Sequence, residues 1–147
     1  MASVVTESRI EERKYESRWE GATLAALRIM TGLVFAQHGA QKLLGWFGGM
    51  GPGGGTASAG TLPWVAGILE LVGGLLVVLG LFTRPVAFLL AGEMAVAYFT
   101  VHFPRGFMPI VNRGELAVVL CFVFLYLCAR GAGPFSVDAL FARRRRA

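Results

Sequence analysis

Four ionisable residues stand inside long hydrophobic runs of this chain. His38 and Lys42 lie in the first run, Glu70 in the second and Glu93 in the third. A charged residue at the centre of a membrane helix costs roughly 2.5–3.5 kcal/mol on insertion scales. Groups retained at that cost are expected to pair, to act, or both. With 100° of rotation per residue, Arg28, Thr31, Phe35, His38 and Lys42 fall within a stripe of about 80° on one helix. Such a face should turn toward a bundle interior or a wet cavity, away from lipid.

Depth along the helices sorts these groups. His38 and Glu70 each lie about seven residues from the same end of their spans, roughly 10 Å inside at ~1.5 Å per residue. His38, Lys42 and Glu70 are therefore expected to meet. Glu115, at the same end of the fourth run, is within reach of Lys42, and the deeper Glu93 and Arg28 form a second expected pair. On the third run a regular helix sets Glu93 on the face of Ala97 and Thr100, with His102 opposite. Two chemistries follow from the cluster. One is a set of satisfied ion pairs that fixes helix register. The other is a site for a polar or redox-active headgroup such as a quinone carbonyl. There His38 or Lys42 would donate a hydrogen bond, and Glu70 or Glu115 would move protons.

The elements that carry these residues are helical. Of 147 residues, 55% are hydrophobic and 16% charged, too apolar for an ordinary soluble domain. Leu24–Phe47, Leu62–Phe82, Pro85–Phe103 and Gly114–Arg130 each approach the ~17–25 residues a spanning helix needs. The fourth is the shortest and could extend back through Phe107–Val111. The expected fold is an all-α membrane protein, a four-transmembrane-helix bundle. Residues 1–23 form a polar N-terminal segment, 24–131 the membrane domain and 132–147 an amphipathic, basic tail. The first run is too long for a cleavable signal and reads as an anchor.

Lys and Arg set the orientation. Arg9, Arg13, Lys14, Arg18, Arg84, Arg130 and Arg143–Arg146 fall on one side, against Arg105 and Arg113 on the other. Both termini are therefore expected to be cytoplasmic. The basic tail suits anionic headgroups, so the charge balance points to membrane lipids and not to nucleic acid. Short surface helices are expected at both ends, with Trp19 at the interface of the first.

Smaller signals complete the reading. Gly32, Ala36 and Ala40 form a small-residue stripe suited to close helix packing. The glycine-rich loop Gly45–Gly60 reads equally as a connector or as a lid over a site. Pro63 is expected at a helix start, Arg84-Pro85 in a tight turn, and Asn112 as a cap. Ser136 and Asp138 are expected to open a short helix over Val137–Phe141. Cys121 and Cys128 have neither CxxC nor metal-ligand spacing, so no metal site is expected. A weak repeat pairs the spans as two hairpins, with Glu-Leu near one end and Arg near the other in the second and fourth.

Arg28-Ile-Met-Thr-Gly32, Gln37-His38-Gly39-Ala40-Gln41-Lys42-Leu43 and Gly45-Trp46-Phe47-Gly48-Gly49 resemble the DoxX family of small bacterial membrane proteins. So do Glu70-Leu-Val-Gly-Gly-Leu, Gly80-Leu-Phe-Thr-Arg84, His102, Asn112-Arg-Gly-Glu115 and Gly131-Ala-Gly-Pro-Phe-Ser-Val-Asp138. The resemblance covers roughly residues 24–140. It implies a four-helix bundle in the bacterial plasma membrane and an association with quinone-linked redox chemistry. The family shares its name with subunits of a thiosulfate:quinone oxidoreductase. The positions it carries over are Arg28, His38, Lys42, Glu70, Arg84, His102, Asn112 and Glu115.

Together these readings give a working assignment. The catalytic candidates are His38, Lys42, Glu70 and Glu115. The cofactor-binding candidates are Arg28, His38, Glu70, His102 and Asn112, with a quinone as the cofactor. Without a paired redox cysteine motif the chain is expected to work with other membrane subunits, or as a homo-oligomer, and not alone. The rival reading is a non-catalytic accessory subunit of a larger membrane complex.

Overall fold

The computed structural model describes residues 2–145, with side chains from residue 18 onward. Its helices are α1 (Ala2–Leu44), α2 (Leu62–Leu79), α3 (Thr83–Arg105), α4 (Pro109–Asn112), α5 (Glu115–Arg130) and α6 (Val137–Arg144). No strand occurs among the described residues, only one isolated bridge between Met50 and Gly55. The α2 segment has a mean hydropathy of 2.2 and is 28% buried; α3 has 1.6 and 22%. Both are long and apolar enough to cross a membrane. A soluble core helix of that hydropathy would be mostly covered. Here Val72, Leu75, Phe88, Leu89, Val119 and Phe122 face outward, as lipid contact demands and water does not.

α1 departs from expectation at its start. It runs unbroken from Ala2 to Leu44, so the polar N-terminal segment continues the first span instead of forming a separate surface helix. Nothing in that stretch stops a helix: no proline intervenes, and Gly21 packs against Pro134 without a break. The side chains of Arg9, Arg13 and Lys14, and all of Arg146, lie outside the described residues.

Helices α1 and α2 pack as one pair, α3 and α5 as another. Glycine sets the first contact. A Cβ on Gly39 would sit 2.3 Å from the Leu71 nitrogen, and one on Gly74 would sit 2.7 Å from the Ala36 nitrogen. The backbones thus touch along Gly32, Gly39, Gly67 and Gly74, as small-residue interfaces in membranes do. The pairs meet around Phe35, Val77, Leu90, Leu120, Phe124 and Leu127. Phe35 and Phe124 stack edge to face at 4.9 Å.

One end of the bundle is tied by a clasp. Arg28, nearly fully buried, donates to the Val77 carbonyl, to the Val78 carbonyl at 2.5 Å and to the Phe135 carbonyl at 2.8 Å. It thereby adds donors at the end of α2, where the Val77 carbonyl also accepts from the Gly80 N–H at 3.1 Å. Asp138 accepts from the backbone N–H of Phe82 (2.8 Å) and Thr83 (3.0 Å), capping α3, and its own N–H donates to the Gly80 carbonyl at 2.9 Å. The turn is Gly80–Phe82, with Gly80 and Phe82 left-handed at φ 68° and 50°; Arg84 and Pro85 fall inside the first turn of α3. Ser136 caps α6 as expected, accepting from Ala139 N–H at 3.2 Å, while Asp138 serves a neighbouring helix instead of its own.

The opposite end is looser. The expected backward extension of the fourth span does not form. Residues Pro109–Asn112 make a separate short helix, and Arg113 at φ 60° breaks the path into α5. Asn112 Oδ1 accepts from Gly114 N–H at 2.8 Å, so it ties this turn without standing at the helix cap itself.

Candidate functional site

A cavity of about 510 Å³ lies between the two helix pairs, at the end that carries the Gly45–Gly60 loop. That is within the usual size range of small-molecule sites, roughly 300–1,000 Å³. Its polar lining is His38 and Lys42 from α1, Glu70 from α2, Glu93 and His102 from α3, and Arg113. Apolar residues including Phe35, Met94 and Leu120 complete it. Met50 of the glycine-rich loop also lines it, which favours the lid reading of that loop. The segment Leu62–Ile68 packs on α1 and has no comparable packing on α3. The two helices therefore part toward this end, beside the exposed Leu62, Pro63, Val96 and Val101.

Lys42 Nζ and Glu70 Oε1 form an ion pair at 2.5 Å, with the two side chains 24% and 4% exposed. This is the contact expected from their depths. Glu70 Oε2 and both carboxylate oxygens of Glu93 are buried and have no hydrogen-bond partner among the described residues. Buried polar atoms are nearly always partnered, so these three oxygens single out the cavity as the candidate site.

Helix irregularities aim these groups. The ladder widens to a π-turn at Leu69–Gly73, which includes Glu70, and again at Tyr98–His102. On a regular helix His102 would lie about 180° from Glu93. The extra residue of a π-turn reduces this to about 80°, which puts both on the cavity. The expectation of opposite faces is corrected by that insertion. His102 Nδ1 lies 3.2 Å from the Asn112 carbonyl. A carbonyl only accepts, so the proton of this contact is on Nδ1, and Nε2 of the neutral ring is left as an acceptor.

The other expected site residues lie elsewhere. Arg28 does not meet Glu93; its guanidinium is consumed by carbonyls at the far end of the bundle. The long side chain follows α1 away from the loop end, where the open end of α2 offers acceptors. Glu115 is exposed in the first turn of α5, outside the cavity lining, on the face of the exposed Val119, Phe122 and Tyr126. Asn112 is buried but acts on protein. Its Nδ2 donates to the Gly106 carbonyl at 2.7 Å and to the Tyr98 hydroxyl at 3.3 Å, and Tyr98 in turn donates to the Phe107 carbonyl at 2.5 Å. It positions the loop that holds His102 and has no place in the cavity wall. Arg84 is exposed and lies against Gly131. Cys121 and Cys128 are free and half-buried. Among the described residues no cluster of His, Cys, Asp or Glu has metal-binding geometry.

Sequence reasoning placed Glu93 in the wrong partnership and missed Arg113. The usable signal for Glu93 was its place inside the third run. For Arg113 nothing in the local sequence indicated a turn back over the cavity.

Residues 23–103 match the DoxX family. The chain belongs to the DoxX family. A relative from Haemophilus influenzae, an uncharacterised protein, is 44% identical over 82% of this chain and 92% of its own length. A Bacillus subtilis protein named "Putative oxidoreductase CatD" is 31% identical over 76% of this chain and 81% of its own. An uncharacterised membrane protein of Mycobacterium tuberculosis is 28% identical over 83% of each. No solved structure matches the chain significantly. The family match spans the second half of α1, all of α2 and nearly all of α3, and with them His38, Lys42, Glu70, Glu93 and His102. The chain is a DoxX-family membrane protein.

Proposed function

We propose that this DoxX protein is an integral membrane subunit of a quinone-linked oxidoreductase or redox-homeostasis system. In this reading the cavity between the helix pairs holds the quinone headgroup. One observation carries it: a cavity of about 510 Å³ inside an apolar bundle, floored by His38, Lys42, Glu70, Glu93 and His102, with three carboxylate oxygens unpartnered. Those groups fit a small ring bearing oxygens at two ends. Lys42 and His38 supply donors to the ring oxygens, and Phe35 and Leu120 supply apolar walls. A quinone bound there exchanges two electrons and two protons. The chain's part is to bind it, exclude water and hold protons at the carboxylates. The gap between α2 and α3 gives such a lipid-soluble molecule a path from the bilayer. The similarity to a protein named as an oxidoreductase supports the same reading.

The proposal extends to topology and partners. Four spans, formed by the second half of α1 with α2, α3 and α5, cross the bacterial plasma membrane with both termini cytoplasmic. Arg84, Arg130 and Arg143–Arg145 then face the anionic inner leaflet. The reductant or oxidant is carried by a partner subunit, because Cys121 and Cys128 are half-buried and free. The test is direct. Protein purified in lipid nanodiscs should carry quinone or bind an added short-chain quinone. Wild-type protein that carries none and binds none refutes the proposal.

The accessory-subunit reading rests on small-residue helix faces and on the basic C-terminal run. Gly32, Gly39, Gly67 and Gly74 are used inside the molecule, which leaves it the basic run.

A further inference from the structure

The cavity's hydrogen-bond inventory is lopsided. On the donor side stand Lys42, already engaged by Glu70, with His38 and Arg113. On the acceptor side stand Glu70 Oε2 and both Glu93 oxygens, all buried and without partners, and His102, whose Nδ1 is turned to the Asn112 carbonyl. A ligand that brings only carbonyl oxygens, as a quinone does, leaves those carboxylate oxygens unsatisfied. A ligand that brings hydroxyl groups satisfies them. An unsatisfied buried acceptor costs the full desolvation of the group, so the difference acts on affinity.

We infer that the site selects the reduced, dihydroxy form of its ligand, a quinol, and that Glu93 is the residue that recognises a ring hydroxyl. The inference rests on the quinone-linked reading and adds to it a preferred redox state and a residue that the sequence had assigned to a different pair. Glu93 is placed for this by α3 itself. Its neighbours Met94 and Ala97 line the same wall, and the π-turn beyond them brings His102 to the same cavity. A quinol hydroxyl donating to Glu93 occupies an acceptor that no described protein group uses.

The test is equilibrium binding in nanodiscs under anaerobic conditions. Its probes are a short-chain benzoquinone, the matching hydroquinone, and the hydroquinone's dimethyl ether, which keeps the ring and its two oxygens and has no donor. Wild-type protein should bind the hydroquinone on the order of tenfold more tightly than either other probe, as expected for one added hydrogen bond in a buried site. Glu93→Gln, which keeps shape and replaces one carboxyl oxygen with an amide donor, should shrink that preference. Glu93→Leu should abolish it. Helix content by circular dichroism confirms that each variant is folded. If wild type binds the quinone as well as the hydroquinone and Glu93→Gln changes nothing, the inference is overturned. Glu70 and Glu93 would then satisfy one another by sharing a proton, and the quinone-linked reading would still stand. If no probe binds, both fail.

Discussion

The Lys42–Glu70 pair allows the two readings of the intramembrane charges to be separated by a double-mutant cycle. Its two sides are unequal. Glu70 is 4% exposed and Lys42 is 24% exposed. Lys42→Met strands a carboxylate that is almost fully buried and whose second oxygen has no partner among the described residues. Removing one member of a buried pair in that way costs about 3–5 kcal/mol. Glu70→Gln leaves an ammonium that borders the cavity and keeps an amide oxygen as acceptor. Its cost is set by one weakened hydrogen bond, about 1–2 kcal/mol. The double variant Lys42→Met/Glu70→Gln strands no charge and should recover much of the larger loss, with a coupling on the order of 2–3 kcal/mol. Equilibrium unfolding in mixed micelles, read through tryptophan fluorescence, measures all three. Lys42→Met no more harmful than Glu70→Gln, or a coupling below about 0.5 kcal/mol, would refute the assignment of this pair as a buried one.

Four further outcomes are expected. Gly39→Ala should push α1 off α2, since the new Cβ would lie 2.3 Å from backbone, and should cost about 1–3 kcal/mol by overpacking. Gly92→Ala, where a Cβ meets nothing within 4 Å, should be neutral or mildly stabilising in the same unfolding assay. Asp138→Ala should uncap α3 at Phe82 and Thr83 and cost about 0.5–2 kcal/mol, with faster amide exchange at those two residues. Ala66→Trp fills the cavity wall from α2 and should lower quinone binding in nanodiscs without loss of helix content; unchanged affinity would move the site elsewhere.

Much of the fold was legible because membranes restrict the choices. Long apolar runs must be helices, and a polar stripe on one of them must turn inward. Arg28, Thr31, Phe35, His38 and Lys42 do so, the first three buried and the last two on the cavity. Depth counting brought Lys42 within reach of Glu70, and the two form the ion pair. What failed were inferences that treated each helix as regular or each long side chain as free. His102 was assigned to the wrong face because a π-turn leaves no mark in residue periodicity. Arg28 was matched to Glu93 by depth, but an arginine with several donors is better satisfied by three carbonyls at a helix end and a loop than by one distant carboxylate. Glu115 was credited with reach, although its own helical face carries Val119, Phe122 and Tyr126 outward.

These corrections change the balance between a structural and a chemical role for the cluster. With Arg28 paired to Glu93, every buried carboxylate would have had a cation, and the charges could have served packing alone. Arg28 instead closes the opposite end of the bundle. Lys42 then has Glu70 as its partner, and Glu93 has none among the described residues. A helix that gained nothing from Glu93 would be more stable with leucine there, since burial of an unpartnered carboxyl is costly. A ligand that donates to Glu93 removes that cost only while bound, so the same group that weakens the empty bundle strengthens its grip on the occupant. Glu93→Leu should therefore stabilise the ligand-free protein and weaken its hold on the hydroquinone, a pair of opposite signs that a purely structural carboxylate would not produce.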